Sequence, residues 1–147
     1  MDELTESPRG HLELRTVAVP AATNPAVDVF GGWIMSLMDL AAGTAARAEA
    51  KGRVATAAVS NLSFHHPVKV GDVVCCYTEI RRIGRTSITV GVETWVLREG
   101  RDARFQVTGG EFVLVAVDAN GRPRPVRQVD SALLSCSELL GRKQVFS

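Results

Sequence analysis

The chain has 147 residues, of which 46% are hydrophobic and 22% are charged. This length is enough for one well-buried core but short for two full domains. The formal net charge of +1 gives no general attraction to nucleic acid or to an anionic membrane, so any binding of a polyanion must depend on a local basic patch.

No stretch of the sequence has the pattern of a targeting or membrane-spanning segment. The N-terminal residues lack the order of charged, apolar and small residues that marks a signal peptide, and the longest apolar segment carries Asp39, Arg47 and Glu49. The three cysteines, two of them adjacent, match neither a disulfide framework nor a zinc motif. We therefore predict a cytoplasmic protein that does not insert into membranes.

In chain order, the first elements are a flexible end, a strand and a long helix. Residues 1–10 are polar and unpatterned, and residues 11–20 alternate as a strand does, up to Pro20. From Gly31 to about Lys51, apolar residues recur at helical spacing and predict a helix of roughly 30 Å. Its predicted contact residues are Ile34, Leu37, Met38, Ala41, Ala42 and Ala45.

Most of the remaining chain is predicted to be strand. Residues 54–64, 72–83, 86–98 and 103–118 are rich in β-branched and aromatic residues, and the short turn at Gly84 indicates an antiparallel hairpin. The predicted fold class is α+β, with a mostly antiparallel sheet of about five long strands around one helix. Residues 11–128 would form this single domain, and residues 129–147 are predicted to add a short C-terminal helix. Long edge strands and a single covering helix also predict self-association.

Asp39 is the residue of this helix that most needs an explanation. Its neighbours one turn away include no Lys or Arg, and an uncompensated carboxylate on an apolar helix is costly. It is therefore either a functional group or a polar residue bridged by water at a subunit interface.

Other chemistries lack their usual residues. His65 and His66 lie in a connection without metal-ligand spacing, and no nucleophile elbow, P-loop or dinucleotide fingerprint is present. Any catalysis must then use carboxylate, amide and backbone groups. Gly31-Gly32 at the helix start would offer free N–H groups to a developing oxyanion, and Asn24 lies in the preceding loop.

These residues belong to a longer pattern. The motifs are T-N-P-A-V-D-V-F-G-G-W-I-M-S-L-M-D at 23–39, V-G-D-V-V-C-C-Y at 70–77, G-R-T-S-I at 84–88 and V-A-V-D at 115–118. Together the chain, from Leu14 to about Arg124, closely resembles the hot-dog-fold acyl-CoA thioesterases. Within them it is most similar to the bacterial YciA-type hydrolases, which are related to mammalian cytosolic acyl-CoA hydrolases.

The resemblance implies a hot-dog fold and a specific site. Asp39 would be the general base or nucleophile, Asn24 of a partner subunit would position water or substrate, and Gly32 N–H would polarise the thioester carbonyl. Dimers would assemble further, as a trimer of dimers, and acyl-CoA would be the substrate, with no metal or redox cofactor. Coenzyme A would lie along the protomer surfaces while the acyl tail enters a tunnel beside the helix.

Basic and hydroxyl side chains are the candidates for contacts with coenzyme A. Arginine matches phosphate geometry, so the hairpin residues Arg82, Arg85, Thr86 and Ser87 could bind phosphate or pantetheine, although a solvated hairpin explains them equally well. Gly31 is placed with them because it lets a substrate approach the main chain. Lys69 is added as a substitute for a cation that relatives often carry at the position of His66.

Several residues have competing explanations. Asn24 before Pro25 is also a common turn residue, and Gly31-Gly32 could serve close packing. Asp28 is expected to cap the helix or to stabilise the loop. Val27 replaces a family glycine, and Gly109-Gly110 suggests a bulge or a wider acyl pocket.

Two other functions remain open besides thioester hydrolysis. One is a non-catalytic hot-dog module that binds acyl-CoA. The other is an enoyl-CoA hydratase or dehydratase on the same fold, although such enzymes usually rely on a differently placed histidine and none stands on this helix.

Overall fold

A computed structural model of the chain describes residues 7–127 except residues 25 and 27. The elements are strand β1 (His11–Val17), helix α1 (Gly31–Ala50) and strands β2 (Val54–Phe64), β3 (Val73–Ile83), β4 (Ser87–Leu97) and β5 (Phe105–Ala116). The predicted elements are confirmed in type and order. The first strand ends earlier than predicted, at Val17, because Pro20–Ala22 forms a 3-10 turn. The predicted C-terminal helix, residues 1–6 of the predicted flexible N-terminus and Val27 lie outside the described residues.

The five strands form one antiparallel sheet in the order β1-β3-β4-β5-β2, and α1 contacts all five of them. This is the predicted α+β architecture of a sheet around one long helix. Because β4 lies at the centre of the sheet, both of its faces are buried along most of its length.

The core lies between α1 and the facing side of the sheet. The helix buries mainly small residues, which let it approach the strands closely, together with Ile34 and Met38. Opposite them, Ile88, Val90 and Val92 of β4 and Phe112 and Leu114 of β5 are fully buried. The helix ends where Lys51 takes a left-handed conformation and donates its N–H to the carbonyl of Arg47.

Strand β2 is a long edge with a single neighbour, β5. Nine of its eleven residues are exposed, and only Val54 and Leu62 are half-buried. An open edge of this length is a template for pairing with another chain. The predicted need for self-association therefore applies most directly to β2.

The bulge suggested by Gly109-Gly110 is present, but the extra residue lies in the opposite strand. Between Ser60 and Ser63 the register of β2 slips against β5, and Asn61 has a φ of 57°. Leu62 fills the space beside Gly110, where a Cβ would lie 2.6 Å from its Cδ1. The two glycines therefore accommodate neighbouring side chains, and a cavity of about 200 Å³ lies beside both of them. A wider acyl pocket stays a prediction.

No helix in the described part of the chain is long and apolar enough to cross a membrane. Among the same residues, no three or more His, Cys, Asp or Glu side chains cluster as a metal site requires. The cytoplasmic location and the lack of a cofactor stay predictions.

Candidate active site

Helix α1 begins with an uncapped first turn. No side chain caps it, and no acidic residue lies in it. The carbonyl of Phe30 accepts hydrogen bonds from the N–H groups of Trp33 and Ile34, at 3.1 and 3.3 Å. No described residue accepts from the N–H groups of Gly31 and Gly32. The positive end of the helix dipole and these two donors are thus available to an oxygen that gains negative charge.

The two glycines have different surroundings. A Cβ on Gly31 would lie 3.4 Å from the ring of Phe64, which is an ordinary van der Waals contact, so packing against β2 does not require a glycine there. A Cβ on Gly32 would meet no atom within 4 Å. Close packing therefore explains neither glycine, and the exposed Gly32 faces space that another molecule can enter.

Asp39 has a partner that the sequence did not reveal. The hydroxyl of Thr56, on β2, donates to Oδ1 of Asp39 at 2.5 Å. Thr56 is in register with the buried Leu114, so its side chain points to the helix side of the sheet. The register then slips between Thr56 and Ala58, which places a second bulge beside the site. The half-buried carboxylate of Asp39 is thus oriented by a strand and not by its own helix.

Asn24 shapes the loop before the helix. Its Oδ1 accepts from the backbone N–H groups of Ala26 and Asp28, at 2.9 and 3.0 Å, and its own N–H donates to the Asp28 carbonyl at 2.7 Å. The turn explanation is therefore correct, but it uses only the acceptor side of the amide. The Nδ2 group donates to no described residue, so it can still donate to a ligand.

Asp28 stabilises the loop and does not cap the helix. Its Oδ1 forms an ion pair with Nζ of Lys69, and the two residues also form a backbone bridge. Of its two expected roles, the structure therefore shows the second, because no side chain caps α1. Since Lys69 already has a carboxylate partner, Asp28 would compete with any phosphate for its ammonium group.

A cavity of about 320 Å³ lies in front of the helix start. Gly31 and Asp28 lie at its wall, and Val29, Ile34 and Phe64 give it an apolar side. His65 and His66 also line this cavity, so the connection after β2 brings both histidines close to the start of α1. Such a cavity, apolar with a few polar groups, is typical of a small-molecule site.

The buried thiols offer no competing nucleophile. Burial raises the pKa of Cys76 to about 11, and Cys75 is buried as well. Because both described thiols are buried, neither competes with the predicted role of Asp39.

The model of the thioesterase superfamily matches residues 28–102, a range that holds Asp28, the glycine pair and Asp39. The chain belongs to the thioesterase superfamily.

Individual relatives show which part of that superfamily the chain resembles most. The acyl-CoA thioester hydrolase YciA of Salmonella typhimurium is 44% identical over 129 residues, covering 86% of this chain and 97% of that protein. A hexameric thioesterase from Yersinia pestis matches with a TM-score of 0.79 and 45% identity, over 84% of this chain and all of that one. A hexameric broad-specificity acyl-coenzyme A thioesterase matches with a TM-score of 0.82 and 42% identity, over 97% and 99% of the two chains. The resemblance to the YciA-type hydrolases is confirmed.

In this member of the thioesterase superfamily, the predicted coenzyme A contacts lie at two separate ends of the sheet: Gly31 and Lys69 near the helix start, and the β3–β4 hairpin at the other end. Thr86 accepts through its carbonyl from Ala116 N–H, whereas Phe64, beside Gly31, pairs with Thr108. Eight residues of β5 separate these two levels, about 26 Å at strand spacing. The hairpin with Arg82, Arg85, Thr86 and Ser87 therefore lies far from the helix start of the same chain. Its contact with coenzyme A stays a prediction, and such a contact would involve the site of another chain.

Proposed function

We propose that this chain hydrolyses the thioester of acyl-CoA to a free acid and coenzyme A. The observation that carries the proposal is the arrangement on α1, where a free N–H pair begins the helix and a hydrogen-bonded carboxylate follows two turns later. The activity named for the YciA relative, which shares 44% of its residues with this chain over most of its length, supports the same reaction.

The reaction assigns one step to each group. The N–H of Gly32 donates to the carbonyl oxygen as it becomes an oxyanion, and the Nδ2 group of Asn24 positions water or substrate. Asp39 takes a proton from the attacking water, whose oxygen bonds to the thioester carbon. Collapse of the tetrahedral intermediate breaks the C–S bond and releases coenzyme A, which takes up the proton. Direct attack by Asp39, through an anhydride that water then hydrolyses, gives the same products.

The site is composed of two chains in this proposal. Gly32 and Asp39 are seven residues apart, which corresponds to about 10.5 Å along a helix. An oxyanion donor and a base that serve one carbonyl each need to lie within about 3 Å of the reacting atoms or of the attacking water. Gly32 and Asp39 of one helix are too far apart for both to contact the same reacting carbonyl and its water. Asp39 of one chain therefore acts with Asn24 and Gly32 of a partner.

The open edge of β2 gives a route to that assembly. Thr56, which orients Asp39, lies on this exposed strand, so a second copy paired along β2 would bring its own loop towards Asp39. The hexameric state named for two structural relatives supports further assembly as a trimer of dimers.

Replacing Asp39 tests the proposal. Asp39→Asn keeps the shape of the side chain but removes the base, so we expect the thiol-release rate with butyryl-CoA to fall by about 100-fold or more. The matched control is Glu49→Gln, which neutralises another half-buried carboxylate of α1 near the opposite end of the helix. Normal turnover in Asp39→Asn would show that the catalytic assignment is wrong.

The two alternatives give distinct results in the same preparation. Tight binding of intact butyryl-CoA by the wild-type protein, without any release of thiol, would favour a binding module. Loss of ultraviolet absorbance from an enoyl-CoA, again without thiol release, would favour a hydratase.

A further inference from the structure

A second cavity, of about 460 Å³, adjoins the one in front of the helix start and shares His65, His66 and Pro67 with it. Three arginines line this cavity, Arg98, Arg101 and Arg104, and no carboxylate does. We call it the arginine hollow. It is distinct from the predicted coenzyme A contacts on the β3–β4 hairpin.

The arginine hollow is built around one aromatic ring. The guanidinium of Arg98 lies 5.0 Å from the ring centroid of Phe105, that of Arg101 lies 4.8 Å from it, and the ring of His66 meets its edge at 5.5 Å. Arg98 is fixed in turn by two hydrogen bonds to the buried Asp72, of 2.9 and 2.7 Å. The wall of the hollow is thereby preorganised.

Two of the three guanidinium charges have no carboxylate partner. Arg98 is neutralised by Asp72, but Arg101 and Arg104 form no ion pair with any described residue. Within the described part of the chain, the guanidinium of Arg104 donates only to the hydroxyl of Tyr77, at 3.3 Å. The loop with these arginines also carries Glu99 and Asp102, but neither of them lines the cavity, so the excess of positive charge belongs to the lining of the hollow.

Another cavity, of about 740 Å³, lies near the end of α1 and differs from the arginine hollow in how its arginines are held. It is also lined by arginines, but the guanidinium of Arg124 donates to the carbonyls of Ala50 and Val117, and Arg127 pairs with Glu49. Those side chains are held by the protein itself. In the arginine hollow, the N–H donors of Arg101 remain available because stacking on a ring leaves the edge of the guanidinium free.

We propose that the arginine hollow binds a phosphate group through Arg101 and Arg104. The planar fork of guanidinium donors matches phosphate oxygens, and a bound phosphate would give both arginines the anionic partner that they do not have among the described residues. The phosphate has two possible sources, a free phosphorylated compound or the coenzyme A portion of a substrate whose thioester lies at the start of α1. The shared wall of the two cavities favours the second source, and only this identification rests on the proposed function.

Calorimetry with inorganic pyrophosphate tests the phosphate site without reference to hydrolysis. We expect pyrophosphate to bind the wild-type protein and to bind the double variant Arg101→Ala/Arg104→Ala at least about tenfold more weakly. Arg122→Ala is the matched control, because it removes an exposed arginine at a turn outside the hollow, and it should bind as the wild type does. Failure of the wild type to bind pyrophosphate, or equal binding by the double variant, would overturn the proposal.

Kinetics then distinguish the two sources. If the phosphates of coenzyme A fill the hollow, the double variant should raise KM for butyryl-CoA about tenfold and leave KM for butyryl-pantetheine, which lacks those phosphates, unchanged. If KM for both substrates is unchanged while pyrophosphate binding is lost, the ligand is a free phosphorylated compound. A wild-type protein that releases no thiol would refute the proposed function alone, since the pyrophosphate measurement would still stand.

Discussion

At the scale of the residue, the hydrogen bond between Thr56 and Asp39 is the contact with the sharpest consequence. It is short, at 2.5 Å, and it joins a helix to an exposed edge strand. Thr56→Val removes the donor but keeps the shape of the side chain, so the carboxylate loses its orientation. We expect kcat to fall by about tenfold with KM for butyryl-CoA nearly unchanged, a loss typical of a positioned catalytic group.

The conservative variant Thr56→Ser is the control, since it keeps the hydroxyl and should retain most of the activity. In the background of Asp39→Asn, the valine substitution should have little additional effect, because the two residues act as a unit. Equal losses in the valine and serine variants, or a change confined to KM, would contradict this role.

At the scale of the element, the ion pair of the buried Asp72 with Arg98 joins the residue before β3 to the residue after β4. Asp72 also accepts from the backbone N–H of Lys69, which fixes the turn that leads into β3. Burial alone would raise the pKa of Asp72, but the hydrogen bonds from Arg98 and from Lys69 N–H outweigh it and lower the pKa below 3.8. A carboxyl with a depressed pKa in the folded state stabilises the protein above its ordinary pKa. That stabilisation is lost as the pH falls through the lowered value.

We therefore expect the wild-type protein to lose stability as the pH falls below about 4, the ordinary pKa of an aspartate, and Asp72→Asn to show a weaker loss. At pH 7 the substitution should cost roughly 2–3 kcal/mol, because it leaves Arg98 without its partner charge. Thermal unfolding measured between pH 2 and 7 checks both points. Asp102→Asn, at an exposed position without an ion pair among the described residues, should match the wild type.

The elements were predictable from sequence because apolar spacing alone determines them, as in the helix Gly31–Ala50 and in strand β4. The partner of Asp39 was not predictable. Thr56 is 17 residues away, and its position depends on a register slip beside Ala57 that alternation does not reveal. The arginine hollow was missed for a similar reason, since its arginines come from the connection between two strands and meet His66 only in the folded chain.

At the scale of the whole molecule, the proposed division of the site between chains predicts complementation. Asp39→Ala and Asn24→Ala should each be nearly inactive alone. In a mixed dimer, one of the two sites carries both lesions while the other has an intact Asp39 and an intact Asn24. Random pairing makes half of the dimers mixed, so mixing with subunit exchange should restore about a quarter of the wild-type activity.

The alternative arrangement gives a different result from the same mixture. If Asp39 and Asn24 served one carbonyl within a single chain, every site in the mixture would carry one lesion and no activity would return. Exchange must be verified independently, by mass spectrometry of differently tagged variants. Because Gly32 and Asp39 are about two helical turns apart, we expect activity to recover. Recovery to about a quarter of the wild-type activity would show that two chains build each site.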